Sequence, residues 1–194
     1  MQIRHAKKDD APALARLINL AGEGIPYYLW SINDDAGGDP FKIGEARAAR
    51  DSGGFSYTHA RVMEHDNDVL GMVLSYSLDD PYSVGDLNEL PEIVRPLVLL
   101  ESQAPGSWYI NAIATVEFYR GQGIASTLLA DSETHAAEQG FTQASLIVAS
   151  ENTQARKLYL KLGYQLRNSL PVVEYPGCMH GGHWELMVKK LSAS

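Results

Sequence analysis

The chain begins with a strand pattern and then takes the periodicity of an amphipathic helix. Ile3 to His5 is predicted to form a short strand, and Asp9 or Asp10 to cap a helix that has Pro12 near its first turn. Apolar residues then recur at the i, i+3, i+4, i+7 spacing of one helical face, namely at Leu14, Leu17, Ile18 and Ala21. The amino-terminal part is therefore predicted as a strand followed by a helix.

Glycine and proline interrupt the pattern after this helix, and a strand period replaces it further on. The segment from Gly22 to Gly54 is predicted to be irregular, apart from a short helix around Glu45 to Arg50. Beyond it, Tyr57 to His65 and Val69 to Ser77 alternate with a period of two and are predicted strands. The tight turn Asp66-Asn67-Asp68 joins them, which predicts a β-hairpin.

An insert separates the hairpin from the next strand. Between Asp79 and Gly106, helical spacing returns at four apolar positions, which are Leu90, Ile93, Val94 and Leu97. Pro96 falls inside this pattern and is expected to kink or break the helix. Trp108 to Thr115 follows as a predicted strand.

Helices and strands alternate in the carboxyl-terminal part. The predicted helices are Gly121 to Glu138 and Asn152 to Leu162, and the predicted strands are Ala144 to Ala149, Tyr164 to Arg167 and Trp184 to Lys190. This order predicts an α/β fold of mixed α+β type with helices flanking one sheet. No internal repeat or linker interrupts the chain, so one domain over residues 1–194 is expected.

Composition and charge narrow the functional classes. Cys178 is the only cysteine, which excludes an internal disulfide framework and a zinc module with several cysteine ligands, and it favours a reducing compartment. The net charge of −8 argues against nucleic-acid binding and favours cationic or neutral small substrates. No signal-peptide core or membrane-spanning run is present, so a cytoplasmic protein without a membrane partner is expected.

A glycine-containing turn lies between a predicted strand and a predicted helix. It consists of Arg120, Gly121, Gln122, Gly123, Ile124, Ala125 and Ser126. Glycines let the backbone approach an anion, and the first amide groups of a helix point outward at the positive end of its dipole. The turn is therefore typical of a pyrophosphate site, although a strand-to-helix turn without a ligand has the same pattern. No Gly-Lys-Ser/Thr follows, and Ser126 occupies the third glycine position of a dinucleotide motif, so both of those sites are excluded.

A second motif follows from Asn152 to Tyr164, and together the two motifs resemble the GNAT superfamily of acetyl-CoA-dependent N-acetyltransferases. The signature Q/R-x-x-G-x-G/A is matched by Arg120, Gly123 and Ala125. The pattern N-x-x-A-x-x-L/F-Y-x-x-x-G-F/Y is matched by Asn152, Ala155, Leu158, Tyr159, Gly163 and Tyr164. The resemblance implies the GNAT fold, a mixed, mostly antiparallel sheet of six to seven strands flanked by helices.

The resemblance also implies roles for the matched residues. Backbone groups of the strand entering the turn would contact the pantetheine arm of acetyl-CoA, and these belong to Ile113, Ala114 and Thr115. The amides of Gly121 to Ser126 would hold the pyrophosphate, and Asn152 would contact the cofactor. Tyr159 would lie beside the thioester sulfur. Without the resemblance, Tyr159 is a core aromatic, Asn152 a helix cap and Arg120 a solvated charge.

The implied reaction is direct attack of an amine on the thioester in a ternary complex. Strand amides can stabilise the oxyanion that this attack forms, and a hydroxyl such as that of Tyr159 can protonate the leaving thiolate. The strands before the two motifs carry no carboxylate at the positions of the family's general base. Glu101, Glu117 and Glu151 are the neighbouring candidates, and Glu101 is the predicted base because the insert leads directly into the central strand. A water relay or an amine that arrives deprotonated remains an alternative.

The acceptor side is less defined. Tyr27, Tyr28 and Trp30 are predicted to bind substrate as walls of a pocket for a cation or an aromatic acceptor, or else to form a small core beneath a loop. The segment from Cys178 to His183 is expected to be a substrate-side loop, with no metal bound. The insert between Asp79 and Gly106 is acidic. This charge is compatible with binding of a cationic amine, but a solvent-exposed surface has the same composition.

The resulting hypothesis is a cytoplasmic N-acetyltransferase that moves the acetyl group of acetyl-CoA to a primary amine of a small molecule. Its partners would be acetyl-CoA and the amine, with neither nucleic acid nor membrane involved. The resemblance is also compatible with a homodimer, because small members of the family often dimerise. The alternatives are acetylation of a protein N-terminus or lysine, transfer of a longer acyl chain, and a non-catalytic module that binds acyl-CoA.

Overall fold

The computed structural model describes residues 1–32 and 38–192. Its strands are β1 (Gln2–His5), β2 (Ala60–His65), β3 (Asp68–Ser77), β4 (Trp108–Thr115), β5 (Gln143–Ala149), β6 (Gln165–Pro171) and β7 (His183–Lys190). Its helices are α1 (Ala11–Ala21), α2 (Ile25–Ile32), α3 (Pro40–Ala48), α4 (Arg95–Glu101), α5 (Ile124–Glu138) and α6 (Thr153–Lys161).

The strands form one seven-stranded sheet in the order β1-β2-β3-β4-β5-β7-β6. The pairs β1–β2, β2–β3, β5–β7 and β6–β7 are antiparallel, whereas β4 and β5 are parallel. A mixed, mostly antiparallel sheet with flanking helices confirms the predicted fold class. The chain divides into two compact units, the first comprising Met1–Ser75 and Asn111–Ser132 and the second comprising Tyr76–Ile110 and Glu133–Ser194.

The predicted hairpin is present in the first unit as β2 and β3. Asp66 and Asn67 form its two-residue turn with φ angles of 50° and 69°, the left-handed conformation that such turns need. Asp68 pairs with His65 and so belongs to the strand rather than the turn. The residues Tyr57–His59 form a 3₁₀ turn instead of the predicted strand, because the Ser56 side chain accepts a hydrogen bond from the Thr58 amide.

The prediction of an irregular segment from Gly22 to Gly54 was wrong for α2, whereas α3 overlaps the helix predicted around Glu45 to Arg50 and begins earlier, at Pro40. Glu23 and Gly24 have φ angles of 58° and 91°, which turn the chain from α1 directly into α2. Asp39 then caps α3, its side chain accepting a hydrogen bond from the Phe41 amide. Helices α1, α2 and α3 pack against each other and form a small apolar core. Residues 33–37 of the predicted irregular segment lie outside the described residues.

The insert contains a helix at a later position than predicted. Leu87–Glu89 is a 3₁₀ turn, and α4 begins only at Arg95. Pro96 lies in the first turn of α4, where its missing N–H leaves no helical hydrogen bond unmade. The proline that was expected to kink or break a helix therefore helps to begin one.

The strands of the second unit present two distinct faces because their side chains alternate. On the α5/α6 face, Trp108 lies against His135 of α5 with ring centroids 5.6 Å apart, and Glu185 accepts a hydrogen bond from Arg156 of α6 at 2.6 Å. Helix α4 packs on β6 and β7 from the other side. Strand register places on this α4 face, among others, Tyr109, Ser145, Ile147, Ala149, Trp184 and Leu186. No helix among the described residues is long and apolar enough to span a membrane.

Candidate active site

The predicted phosphate turn has the geometry of an anion site. Gly121 and Gly123 have φ angles of 76° and 81°, and a Cβ at either position would meet nothing within 4 Å. Glycine is therefore needed there for its backbone conformation rather than for space. Helix α5 begins at the buried Ile124, and Thr127 donates both its amide and its hydroxyl to the Gly123 carbonyl, each at 3.0 Å. The amides at the start of α5 have no acceptor within the helix and are available to a phosphate oxygen.

The strand that leads into this turn carries an unpartnered polar atom. The Oγ1 atom of Thr115 is buried and has no hydrogen-bond partner. Gly71 of β3 packs beside it, and a Cβ there would lie 2.9 Å from both the Ala114 carbonyl oxygen and Ile124 Cγ2. Ile113 is half-buried and Ala114 is buried. A buried hydroxyl without a partner is suited to a polar ligand, which fits the contact predicted for Thr115.

Asn152 caps a helix, which is one of the two roles that the sequence suggested for it. Its Oδ1 atom accepts a hydrogen bond from the Ala155 amide at 3.2 Å, so Asn152 is the N-cap of α6. The side chain is half-buried. Its predicted contact with the cofactor stays a prediction.

Tyr159 is buried on α6 and is held by a second tyrosine. Its ring centroid lies 6.0 Å from that of Tyr164 in an edge-to-face arrangement. The Tyr164 hydroxyl donates to Glu133 at 2.9 Å, and Lys189 donates to the other carboxylate oxygen of Glu133 at 2.5 Å. Burial and the nearby Glu133 carboxylate raise the pKa of Tyr164 far above its ordinary value, so that its hydroxyl keeps its proton. Tyr159 therefore packs against a tyrosine that is itself fixed by a hydrogen bond to Glu133.

Glu101 lies at the end of α4 within a cluster of tyrosines. The Tyr82 hydroxyl donates a hydrogen bond of 2.6 Å to Glu101 Oε2, and Tyr109 also donates to this carboxylate. Tyr76 packs edge-to-face on Tyr109, with ring centroids 5.8 Å apart. We refer to Glu101, Tyr76, Tyr82 and Tyr109 as the tyrosine–carboxylate cluster.

Burial governs the protonation of this cluster. Removal from water raises the pKa of Glu101 above its ordinary 4.5, although the hydrogen bonds from Tyr82 and Tyr109 oppose that shift. Burial and the Glu101 charge raise the pKa of each of the three tyrosines. A carboxylate with a raised pKa is a suitable general base, because it accepts a proton more readily than an ordinary glutamate.

Glu117 and Glu151 occupy different environments from Glu101. Glu117 is exposed in a 3₁₀ turn of the first unit. Glu151 is exposed as well, and its Oε2 atom accepts a hydrogen bond from the Gly181 amide at 2.9 Å. Glu151 thus anchors the loop between β6 and β7, whereas Glu101 is enclosed by proton donors.

Sequence reasoning predicted Glu101 as the base but did not predict its tyrosine partners. Tyr76 and Tyr109 lie in separate predicted strands, and Tyr82 follows Pro81 inside the insert. The only signal for Tyr109 was its place in the strand that directly follows the insert. Tyr159 packs against Tyr164, whereas Glu101 accepts its hydrogen bonds from Tyr82 and Tyr109.

The aromatic residues predicted for the substrate side lie on α2 rather than in a loop. Trp30 is buried, and a Cβ on Gly44 of α3 would approach its ring to 2.5 Å. Phe41 contacts both Trp30 and Tyr27, with ring centroids 6.0 Å and 5.3 Å apart. Trp30 is therefore part of the core between α2 and α3, which is the second of the two interpretations given above. Tyr27 is largely exposed and Tyr28 half-buried, and their contact with a substrate stays a prediction.

The loop before β7 is held by its own contacts. Cys178 is half-buried, and its thiol donates to the His180 carbonyl at 3.2 Å. Within residues 1–32 and 38–192, no group of three or more His, Cys, Asp or Glu side chains is arranged to hold a metal ion.

Comparison with known proteins agrees with this architecture. The model of the acetyltransferase (GNAT) family matches residues 26–164, and the chain belongs to that family. The chain is 27% identical over 125 residues to N-alpha-acetyltransferase 40 of Saccharomyces cerevisiae. That match covers 61% of this chain and 40% of the yeast protein, so the chain spans less than half the length of this relative.

Solved structures share the fold at low sequence identity. A mosquito arylalkylamine N-acetyltransferase-like protein has a TM-score of 0.67 at 16% identity, with 98% of this chain and 99% of that chain covered. A ribosomal-protein-alanine N-acetyltransferase of Brucella melitensis has a TM-score of 0.62 at 21% identity, with 98% and 100% covered. At sequence identities this low, the structural similarity shows a shared fold and nothing more.

Proposed function

We propose that the protein transfers the acetyl group of acetyl-CoA to a primary amine by direct attack in a ternary complex. The observation that carries this proposal is the tyrosine–carboxylate cluster, in which Glu101 is enclosed by tyrosines and has a raised pKa. A module that only binds acyl-CoA has no need for such a base. The cluster therefore favours an enzyme over a non-catalytic binding protein.

The first unit offers groups that fit acetyl-CoA. The amides from Gly121 to Ser126 are proposed to hold the pyrophosphate, with Arg120 near it, because this turn combines left-handed glycines with a helix N-terminus. The unpartnered Thr115 hydroxyl, with the backbone of Ile113 and Ala114, is proposed to contact the pantetheine arm. Asn152 is proposed to contact acetyl-CoA.

Acetyl-CoA supplies an acyl group activated as a thioester. Glu101 is proposed to accept a proton from the protonated acceptor, which leaves a neutral amine whose lone pair attacks the carbonyl carbon. The C–N bond then forms and the C–S bond breaks, with Tyr159 donating a hydrogen bond or its hydroxyl proton to the departing thiolate. The second proton on the nitrogen is released as the amide forms and replaces the proton that Tyr159 or solvent gave to the thiolate. Direct transfer needs no covalent enzyme intermediate, so Cys178 is not required as a nucleophile.

A small-molecule amine is the proposed acceptor. An acetylated protein N-terminus is the second candidate, favoured by the sequence match to the yeast protein named N-alpha-acetyltransferase 40. The net charge of −8 attracts a protonated amine in both cases.

A thermal-shift titration with acetyl-CoA, CoA, succinyl-CoA and ATP tests the cofactor. Selective stabilisation by the CoA compounds is expected, by about 2.7 kcal/mol at a hundredfold excess over the dissociation constant. Acetyl transfer to a panel of amines then tests catalysis. If the protein binds acetyl-CoA but acetylates no amine between pH 6 and 9, it is a binding module. If it does not bind acetyl-CoA, both the enzyme hypothesis and the binding-module hypothesis are contradicted.

A further inference from the structure

A buried indole N–H in the second unit has no hydrogen-bond partner in the fold. Apart from the Arg61–Asp131 ion pair, two buried side-chain polar atoms in the described part of the chain lack a hydrogen-bond partner, Thr115 Oγ1 and Trp184 Nε1. Trp184 is only 4% exposed. A buried donor without a partner is unfavourable in the free protein and is satisfied when a ligand supplies an acceptor.

The residues opposite Trp184 in the neighbouring strands offer its N–H no side-chain acceptor. Trp184 pairs with Ala149 of β5 and with Leu170 of β6, and neither of these side chains contains a hydrogen-bond acceptor. Strand alternation places the indole on the α4 face, the face that also carries Tyr109. Trp184 therefore shares a face of the sheet with the tyrosine–carboxylate cluster.

Hydrogen bonds tie the end of α4 close to this part of β7. Asn168 of β6 donates to the Gln103 side chain at 2.8 Å, and Gln103 follows Glu101 by two residues. Asn168 pairs with Leu186, and Trp184 lies two residues further along β7 on the same face of the sheet. The end of α4, which carries Glu101, and the Trp184 indole therefore lie on one face of the sheet, as a shared acceptor site requires.

The backbone beside Trp184 is held firmly. The Ser150 hydroxyl accepts a hydrogen bond from the His183 amide at 3.0 Å, and the Ser150 amide donates to the His183 carbonyl at 2.7 Å. A Cβ on Gly182 would lie 2.5 Å from the Ser150 hydroxyl, so the loop closes tightly at this point. A donor positioned before the ligand arrives loses little entropy on binding.

We propose that the Trp184 indole N–H donates a hydrogen bond to an oxygen of the acceptor and so selects amines that carry a carbonyl group near the reacting nitrogen. This inference rests on the proposed function and narrows its substrate class. An indole N–H can only donate, so its ligand must offer a lone pair, which a protonated alkylamine lacks. An α-amino amide, whether free or at the start of a peptide, offers such an oxygen.

Two acceptors of similar shape and one conservative variant test the proposal. Alaninamide carries the carbonyl group and isopropylamine lacks it, and Trp184→Phe removes the N–H while keeping an aromatic ring. In the wild type we expect a higher kcat/KM for alaninamide than for isopropylamine after correction for the amine pKa. In Trp184→Phe we expect the KM for alaninamide to rise about tenfold, the effect of one hydrogen bond, with kcat unchanged. The KM for isopropylamine and for acetyl-CoA should stay the same.

A binding measurement separates this inference from the proposed function. The protein contains three tryptophans, so its ¹H–¹⁵N spectrum has three indole signals, and loss of one in Trp184→Phe assigns that of Trp184. With CoA present, alaninamide should shift this signal and isopropylamine should not. The inference would be overturned if kcat/KM in Trp184→Phe fell equally for alaninamide and isopropylamine. It would also be overturned if the Trp184 signal did not move while alaninamide bound or was acetylated. Absence of acetyl transfer to any amine would instead contradict the proposed function, and the spectrum would still decide the role of Trp184.

A longer acceptor tests whether the carbonyl group belongs to a polypeptide or to a small molecule. A peptide beginning with alanine presents the same oxygen as alaninamide and should show the same dependence on Trp184. If its kcat/KM exceeds that of alaninamide, additional contacts beyond the first residue select a polypeptide. If alaninamide is the better acceptor, the substrate is a small α-amino amide.

Discussion

The Tyr82 hydroxyl donates a hydrogen bond of 2.6 Å to the Glu101 carboxylate, which connects the beginning of the insert to the end of α4. Tyr109 donates to the same carboxylate from β4. Three parts of the chain thus converge on one acidic group, although burial raises the pKa of that group. An ionisable side chain kept in an unfavourable environment is more typical of a catalytic role than of a stabilising one.

Replacing Glu101 by glutamine should reduce activity and increase stability. Glu101→Gln removes the proposed base while keeping an oxygen that Tyr82 can donate to, so kcat should fall about 10²- to 10⁴-fold. The raised pKa means that the fold favours the neutral side chain, so the variant should melt at a higher temperature than the wild type at pH 8. Thermal denaturation and initial rates measure both effects. Glu89→Gln, an exposed glutamate of the same insert, should change neither.

The same residue predicts how stability depends on pH. A carboxyl group with a raised folded pKa contributes stability below its unfolded pKa of about 4.5, and that contribution is lost as the pH rises through the folded pKa. The stability difference between Glu101→Gln and the wild type should therefore widen as the pH rises from 4.5. A difference that stays constant or narrows over this range in urea denaturation would contradict the raised pKa.

Replacing Tyr159 by phenylalanine should affect the chemical step. Tyr159→Phe removes the proposed donor to the thiolate, so kcat should fall about a hundredfold while the affinity for acetyl-CoA changes little. Tyr164→Phe is the matched control, because it breaks the hydrogen bond to Glu133 and should lower stability by about 1–3 kcal/mol. Isothermal titration with acetyl-CoA and steady-state rates separate the two roles. An unchanged rate in Tyr159→Phe would remove Tyr159 from the mechanism.

Replacing Gly123 by alanine should weaken cofactor binding. Gly123 has a φ of 81°, and a side chain there costs about 1–2 kcal/mol or forces the turn into another conformation. Gly140→Ala is the control, because Gly140 has a φ of 87° and a Cβ there would meet nothing within 4 Å. Both variants should lose similar stability, whereas only Gly123→Ala should bind acetyl-CoA more weakly. Equal affinity for acetyl-CoA in the two variants would show that the turn does not contact the cofactor.

Replacing Gly44 by alanine should destabilise the helical core of the first unit. Alanine normally stabilises a helix relative to glycine by about 1 kcal/mol. At this position, however, the new Cβ would lie 2.5 Å from the ring of the buried Trp30. Overpacking of this kind costs about 1–3 kcal/mol, so the sign of the effect should reverse. A higher melting temperature for Gly44→Ala would contradict the packing of Trp30 against α3.

The sequence by itself determined the parts of this protein that depend on local physics. The hairpin turn predicted at Asp66-Asn67-Asp68, the cap Asn152 and the glycine-containing turn before α5 follow from backbone preferences of single residues. The apolar periodicity of strands predicted β4 with its observed bounds and β5 within one residue, and the spacing of a helical face predicted α5 within three residues at its start. Two motifs at the starts of α5 and α6 were enough to indicate the family.

Only the tertiary structure decided the features that depend on residues far apart in the chain. Trp30 is a core residue because Gly44 of another helix leaves room for its ring. Pro96 begins α4 rather than breaking a helix, because the chain before it forms turns. The environment of Glu101 comes from Tyr76, Tyr82 and Tyr109, and the unpartnered Trp184 N–H from the side chains opposite it on β5 and β6. Burial and hydrogen bonding between distant segments set these properties, and no local pattern in the sequence encodes them.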